Sequence, residues 1–185
     1  FRAWPEVDDV SREVRVEPGG TVEVNGTELM VARLTFESQP FVELQMSVLH
    51  EAGTELRNLE RVVLVVSSGG ALPEAAAEGI PGPVALLSLR PGVHGPWPGN
   101  ESKQIQIQRR FQFLGMTLEG MRVWDIRRGL QVLRQQCPQL ESIEIRCAGG
   151  CESLVLLASL YEPPVSSIVV GELPVSEPAL LNFSR

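Results

Sequence analysis

The stretch from Ser142 to Tyr161, SIEIRCAGGCESLVLLASLY, constrains the fold more than any other part of the chain. Ile143 and Ile145 read as a short buried strand. Ala148-Gly149-Gly150-Cys151 reads as a tight turn, and Leu154 to Leu160 as an apolar helix. A strand that passes into a helix through so short a bend needs small residues there, because one of them must take a conformation that a Cβ disfavours. The two glycines meet that need. A strand–turn–helix unit of this kind is the building block of a parallel sheet.

The rest of the chain is consistent with such a sheet. Arg61 to Val66 is a continuous apolar run ending in Ser67-Ser68-Gly69-Gly70, and Val84 to Leu89 another, ending in Arg90-Pro91-Gly92. Ser167 to Val170 is a further run, ending in Gly171-Glu172-Leu173-Pro174. Runs that are apolar on both faces mark parallel strands covered by helices. The helical patterns between them are Leu72–Glu78, Leu154–Leu160 and a long segment, Ile105–Arg134. The long segment carries Leu118, Met121, Ile126, Leu130 and Leu133 at near-helical spacing. The N-terminal part differs. Thr21-Val22-Glu23-Val24 alternates, Asn25-Gly26 is a hairpin turn, and Leu29–Phe36 returns. Val42–Leu49 follows, with Val42, Leu44, Met46 and Val48 on one face. Residues 1–20 are acidic and polar, broken by Pro5 and Pro18-Gly19-Gly20, and read as a lead-in arm. Residues 21–185 then form one α/β domain, with a mixed, mostly parallel sheet, helices on both faces and an antiparallel N-terminal hairpin.

The chain has 185 residues, enough for one core, and 43% of them are hydrophobic. A net charge of -7 argues against nucleic acid as a partner. Lys103 is the only lysine, and the pairs Arg109-Arg110 and Arg127-Arg128 fall in a helical region, where they read as a solvated face. No apolar run reaches the roughly 20 residues of a membrane span, and the opening residues show no secretory leader. The three cysteines, Cys137, Cys147 and Cys151, are too few and too uneven for a disulfide framework. Cys147 and Cys151 lack two further ligands for a metal, since His50 and His94 are distant in sequence. Neither glycine pair completes a dinucleotide or phosphate loop, so no cofactor is expected. Asn25, Asn100 and Asn182 begin short glycosylation sequons that matter only in a eukaryotic secretory setting.

Four segments together resemble a known family. They are the string RRFQFLGMTLEGMRVWDIRRGLQVLRQQ (Arg109–Gln136), the Ser142–Tyr161 unit, SSIVVGELP, and ARLTFESQPFVELQMSVLHEAG (Ala32–Gly53). They are similar to bacterial acetyl xylan esterase-like domains, of planctomycete type, in the α/β-hydrolase superfamily. The resemblance covers roughly Ala32–Pro174. In that family the turn after the strand is a nucleophile elbow, small-x-Ser-x-small. Aligning the units without gaps puts Gly149 at the serine position, and glycine offers no nucleophile. The resemblance implies oxyanion-hole amides at Gly150 and in the Ser68-Gly69-Gly70 loop, which survive because backbone N–H groups need no side chain. The family's acid and histidine would lie beyond Arg185, so it implies a C-terminally incomplete hydrolase domain. It also implies secretion or a periplasmic location, with other domains of a parent protein or a second copy as partners.

One rescue of the chemistry is Cys151, read as G-x-C-x-S across Gly149–Ser153, with a thiol activated by the helix start and His94 as base. The other reading of Cys151 is a small buried thiol. Ser67 and Ser68 read as helix-capping residues, and Asp125 as the partner of Arg122 or Arg128 at a spacing of three. The functional expectation is a catalytically degenerate esterase-like module of a larger hydrolase. The alternatives are an active carboxylic-ester hydrolase whose acid and histidine lie outside this chain, with Cys151 as a candidate nucleophile, and an interaction domain using an exposed sheet edge.

Overall fold

The structure, a computed structural model, describes Trp4, Pro5 and residues 10–68, 74–90, 100–113, 115–148, 150–162 and 164–170. Seven strands form one sheet: β1 (Val14–Val24), β2 (Thr27–Gln39), β3 (Val42–Glu51), β4 (Arg61–Ser67), β5 (Val84–Ser88), β6 (Ser142–Ala148) and β7 (Ser167–Val169). Their order is β1-β2-β3-β5-β4-β6-β7. The first three run antiparallel to their neighbours, and β3 joins β5 antiparallel. The pairs β5/β4, β4/β6 and β6/β7 are parallel. This is the mixed sheet with an antiparallel entry that the periodicities predict, its pairs divided equally between parallel and antiparallel.

Local chemistry sets the antiparallel part. Asn25 (φ 52°) and Gly26 (φ 75°) are both left-handed, the conformation that a two-residue hairpin needs to match strand twist. β1 begins at Val14, inside the segment that the sequence reads as an arm. Pro18-Gly19-Gly20 does not break the strand. The register shifts between Pro18 and Gly20, so the chain absorbs the breakers as a bulge. A Cβ on Gly19 would lie 2.8 Å from Val31 Cγ1, which fixes glycine at this crossing.

Helices α1 (Glu101–Phe113), α2 (Leu118–Gln136) and α3 (Glu152–Ser159) follow in order. The single long helix expected over Ile105–Arg134 is two. Gly115 adopts φ 72°, a left-handed stop, and the Thr117 hydroxyl accepts from Gly120 N at 2.9 Å to start α2. α2 and α3 cover one face of the sheet. Val62, Leu64 and Val66 of β4 and Ile143 and Ile145 of β6 pack there against Ile126, Leu130, Leu133 and Val155. Burying each such side chain contributes roughly 1.5–3 kcal/mol. The other face holds Val31, Leu49, Val65, Val84 and Leu86, closed by Ala77 from the 3-10 turn Glu74–Ala77. The N-terminal arm is tied to α2: Trp4 Nε1 donates to Gly120 O at 2.8 Å. The Arg127 guanidinium sits 4.8–5.4 Å from the rings of Trp4, Trp124 and Tyr161.

A buried charge pair joins the two halves of the sheet to α2. Asp125 is fully buried and does not pair with its helix neighbours, contrary to the spacing argument. Its carboxylate accepts from Arg90 Nε at 2.8 Å and from Arg90 N at 3.2 Å, just beyond β5. Ser38 and Gln39 of β2 complete the shell, with Ser38 Oγ accepting from Arg90 at 2.6 Å and Gln39 Oε1 bonded to the same guanidinium. Trp124 Nε1 donates to Ser38 O at 2.6 Å, and Arg122 Nε to Arg90 O at 2.7 Å. Removing one partner leaves an uncompensated buried charge. Asp125→Ala is therefore expected to cost about 3–5 kcal/mol in urea unfolding, and the paired apolar replacement Arg90→Met/Asp125→Leu distinctly less. Equal losses in the two variants would show that the charge pair is not what the site depends on.

Candidate functional site

The strand order sets a topological switch point. From β4 the chain crosses one face, by way of Ala77, to reach β5 on one side. It then returns over the other face through α2 to β6, on the opposite side of β4. β4 leads on to β5 and its neighbour β6 to β7, in opposite directions, so connections diverge at the carboxyl ends of β4 and β6, the position at which the crevice of an open α/β sheet lies. Register brings Ser67 at that end level with Ser88 of β5 and Ala148 of β6. Ser67 O accepts from Leu89 N at 2.9 Å, which keeps the β4 and β5 ends together. The β2–β3 turn reaches the same edge, because β3 runs antiparallel to β5.

The strand–turn–helix unit is present as expected: β6 ends at Ala148 and α3 begins at Glu152. Gly150 is exposed with φ 68°, the left-handed bend that allows so abrupt a turn. Four residues singled out from the sequence, Gly149, His94, Gly69 and Gly70, lie outside the described residues. Cys151 is fully buried at the N-cap of α3, and its thiol donates to Val66 O of β4 at 3.2 Å. Cys147, on β6, is half-buried and packs against the same core layer. Interaction with the Cys147 thiol holds the Cys151 thiol below its ordinary value, against the opposing effect of burial. The same interaction, followed by burial, pushes the Cys147 thiol up.

The described imidazole is elsewhere. His50 stands near the end of β3, and β3 runs antiparallel to β5, with Leu49 beside Val84 at the start of β5. It therefore sits at the amino edge of the parallel strands, opposite the crevice, where Nδ1 lies 3.1 Å from Glu51 O. Asp125 is committed to Arg90. Among the described residues no three His, Cys, Asp or Glu side chains converge as a metal site, and no helix is long and apolar enough to cross a membrane. Sequence reasoning missed the Arg90–Ser38–Gln39 shell. The available signal was an arginine just after an apolar strand, which nothing local marks as buried.

Solved structures of similar fold include three esterases. A Bacteroides fragilis protein assigned as an acetyl xylan esterase superposes with a TM-score of 0.65 at 13% identity, over 91% of this chain and 49% of its own. Acetyl xylan esterase 1 of Thermoanaerobacterium sp. gives 0.58 at 11% identity, over 87% and 53%. The acetyl xylan esterase of Paenibacillus sp. R4 gives 0.57 at 12% identity, over 80% and 49%. No protein-family model matches the sequence. No curated protein matches it significantly. The fold is that of the α/β-hydrolases, in the arrangement these esterases share, and the chain spans about half the length of the structures it matches.

The third thiol offers a pH test of the interior. Cys137, at the C-cap of α2, is pushed up by burial from 9.0 to about 11. The unfolded chain loses this proton first, so ionisation favours unfolding between about pH 9 and pH 11. Urea midpoints are expected to fall across that window. Cys137→Ala should be less stable at pH 8 yet show a shallower decline. An unchanged slope in the variant would refute the assignment.

Proposed function

We propose that this chain is a catalytically silent α/β-hydrolase module, a structural or carbohydrate-associated part of an acetyl xylan esterase-like hydrolase. The reading is carried by one observation: the Cys151 thiol at the elbow is turned into the core and donates to Val66 O. A nucleophile must instead stand free at the crevice within reach of a base. The alignment of Gly149 with the family's serine supports the same reading. The left-handed Gly150 keeps the bend and its exposed amide, so an oxyanion-binding backbone outlasts the loss of a nucleophile.

The test is hydrolysis of p-nitrophenyl acetate by the full chain at pH 8. The expected rate equals that of the Gly150→Ala variant and of buffer with a denatured control. Turnover abolished by thiol alkylation would establish the Cys151 route, with His94 as base. Turnover that survives alkylation and is lost in Ser67→Ala or Ser68→Ala would place a serine nucleophile at the end of β4. Either result overturns the silent assignment.

A second reading rests on a separate observation. β7 pairs with β6 alone among the described residues, and Leu156 and Leu157 on the adjacent α3 and Leu160 at its C-cap are 38%, 39% and 75% exposed. An open parallel edge beside exposed leucines suits a partner polypeptide that adds a strand. Light scattering after size exclusion tests self-association, and a strictly monomeric species at high concentration would remove a second copy from consideration.

A further inference from the structure

Cys147 and Cys151 flank the elbow on the same side of the sheet. Cys147 is level with Val66 across the β4/β6 pair, and neighbouring strands lie about 4.8 Å apart. The Cys151 thiol reaches that same residue, 3.2 Å from Val66 O. Both side chains belong to the core layer under α3. Both cysteines are thus registered on the same residue of β4. Cys147 is half-buried and open to a small reagent, whereas Cys151 is closed off. Cys137 stands apart at the far end of α2, after its last turn.

We propose that Cys147 and Cys151 form a redox-modification site that takes a low-molecular-weight disulfide such as oxidised glutathione and closes to a disulfide across the elbow. At alkaline pH the accessible Cys147 ionises, and its thiolate attacks one sulfur of the reagent, forming a mixed disulfide and expelling one glutathione thiolate. The Cys151 thiolate then attacks the Cys147 sulfur, breaking the mixed disulfide and releasing the second glutathione. The two protein thiols lose two electrons and two protons, and the reagent gains them. Closure removes the thiol that donates to Val66 O, so α3 loses its direct tie to β4 while its register with β6 becomes covalent. The stored hydrogen bond is exchanged for a ring of five residues, Cys147 to Cys151. The site does not depend on any hydrolytic role.

The sequence supplies a clean assay. Trypsin cuts after Arg134 and Arg146, so Cys137 falls in the peptide 135–146 and both elbow cysteines fall together in 147–185. The folded full chain is incubated with oxidised glutathione, alkylated in denaturant and digested without reduction. The expected peptide 147–185 is two hydrogens lighter than its dithiol form and carries no alkyl group, while 135–146 is alkylated once. Cys151→Ala should instead trap glutathione on Cys147 as a stable mixed disulfide, which identifies the entry thiol. Cys137→Ala should leave closure unchanged. The proposal fails if wild-type 147–185 is recovered doubly alkylated at a glutathione excess that oxidises a control dithiol, or if the disulfide recovered includes Cys137. A second check uses circular dichroism: Cys147→Ala must keep the wild-type spectrum and show no oxidation, and glutathionylation of Cys151 in that variant would reverse the assigned order.

Discussion

The central constraint is that β4 must be dry on both faces. Val62, Leu64 and Val66 point into one core layer and Val65 into the other, and a strand on each side satisfies its backbone. A strand so placed can be covered only if consecutive crossovers take opposite faces of the sheet. That is why the connection to β5 passes over Ala77 and the return to β6 passes through α2. The crevice at the end of β4 is a by-product of this covering, present before any catalytic residue is chosen. Fold and site are therefore separable here: the burial of four aliphatic residues dictates where a ligand would go, and nothing in that burial demands a nucleophile.

The Arg90–Asp125 pair works at the same boundary but by different physics. Placing a guanidinium and a carboxylate in the interior costs several kcal/mol per ion, which only dense hydrogen bonding offsets. Ser38, Gln39 and the Arg90 amide supply that bonding, and Arg122 holds the Arg90 carbonyl. Burial of this pair adds little net stability compared with leucines of equal volume. What it fixes is geometry. The antiparallel entry strands, the end of β5 and the middle of α2 meet at one carboxylate, so the crevice wall is set by directional bonds where the apolar core alone would allow sliding.

Much of this was legible in the sequence, for reasons that can be named. Asn25-Gly26 identifies its hairpin because few other residue pairs tolerate two left-handed conformations in succession. Arg61–Val66 and Val84–Leu89 identify parallel strands because only a doubly covered strand is apolar on both faces. Local reading failed where a neighbour decided the outcome. The apolar period continues smoothly through Gly115, so the break between α1 and α2 is visible only once Thr117 is seen to cap Gly120. Pro18-Gly19-Gly20 has the composition of a loop, and only the close passage of Val31 turns it into a bulge within β1. Asp125 has Arg122 and Arg128 at the helical spacing, yet the guanidinium it binds is 35 residues away in sequence. Spacing arguments rank partners on one helix and are blind to a strand end that packs across it.

The elbow separates what a sharp bend needs from what a reaction needs. The sharp bend depends on backbone conformation, supplied by a left-handed Gly150, and on the helix that follows it, whose Leu154, Val155 and Ala158 are buried. Neither requirement involves a hydroxyl. In an active elbow the nucleophile sits at a strained, exposed apex, and that strain is a cost to folding which only catalysis repays. Cys151 serves packing: its sulfur fills the core beneath the bend and bonds a carbonyl of β4. The same inward turn that withdraws the thiol from the crevice places it against Cys147. The direction of one side chain thus decides both whether the thiol faces solvent and which neighbours it meets.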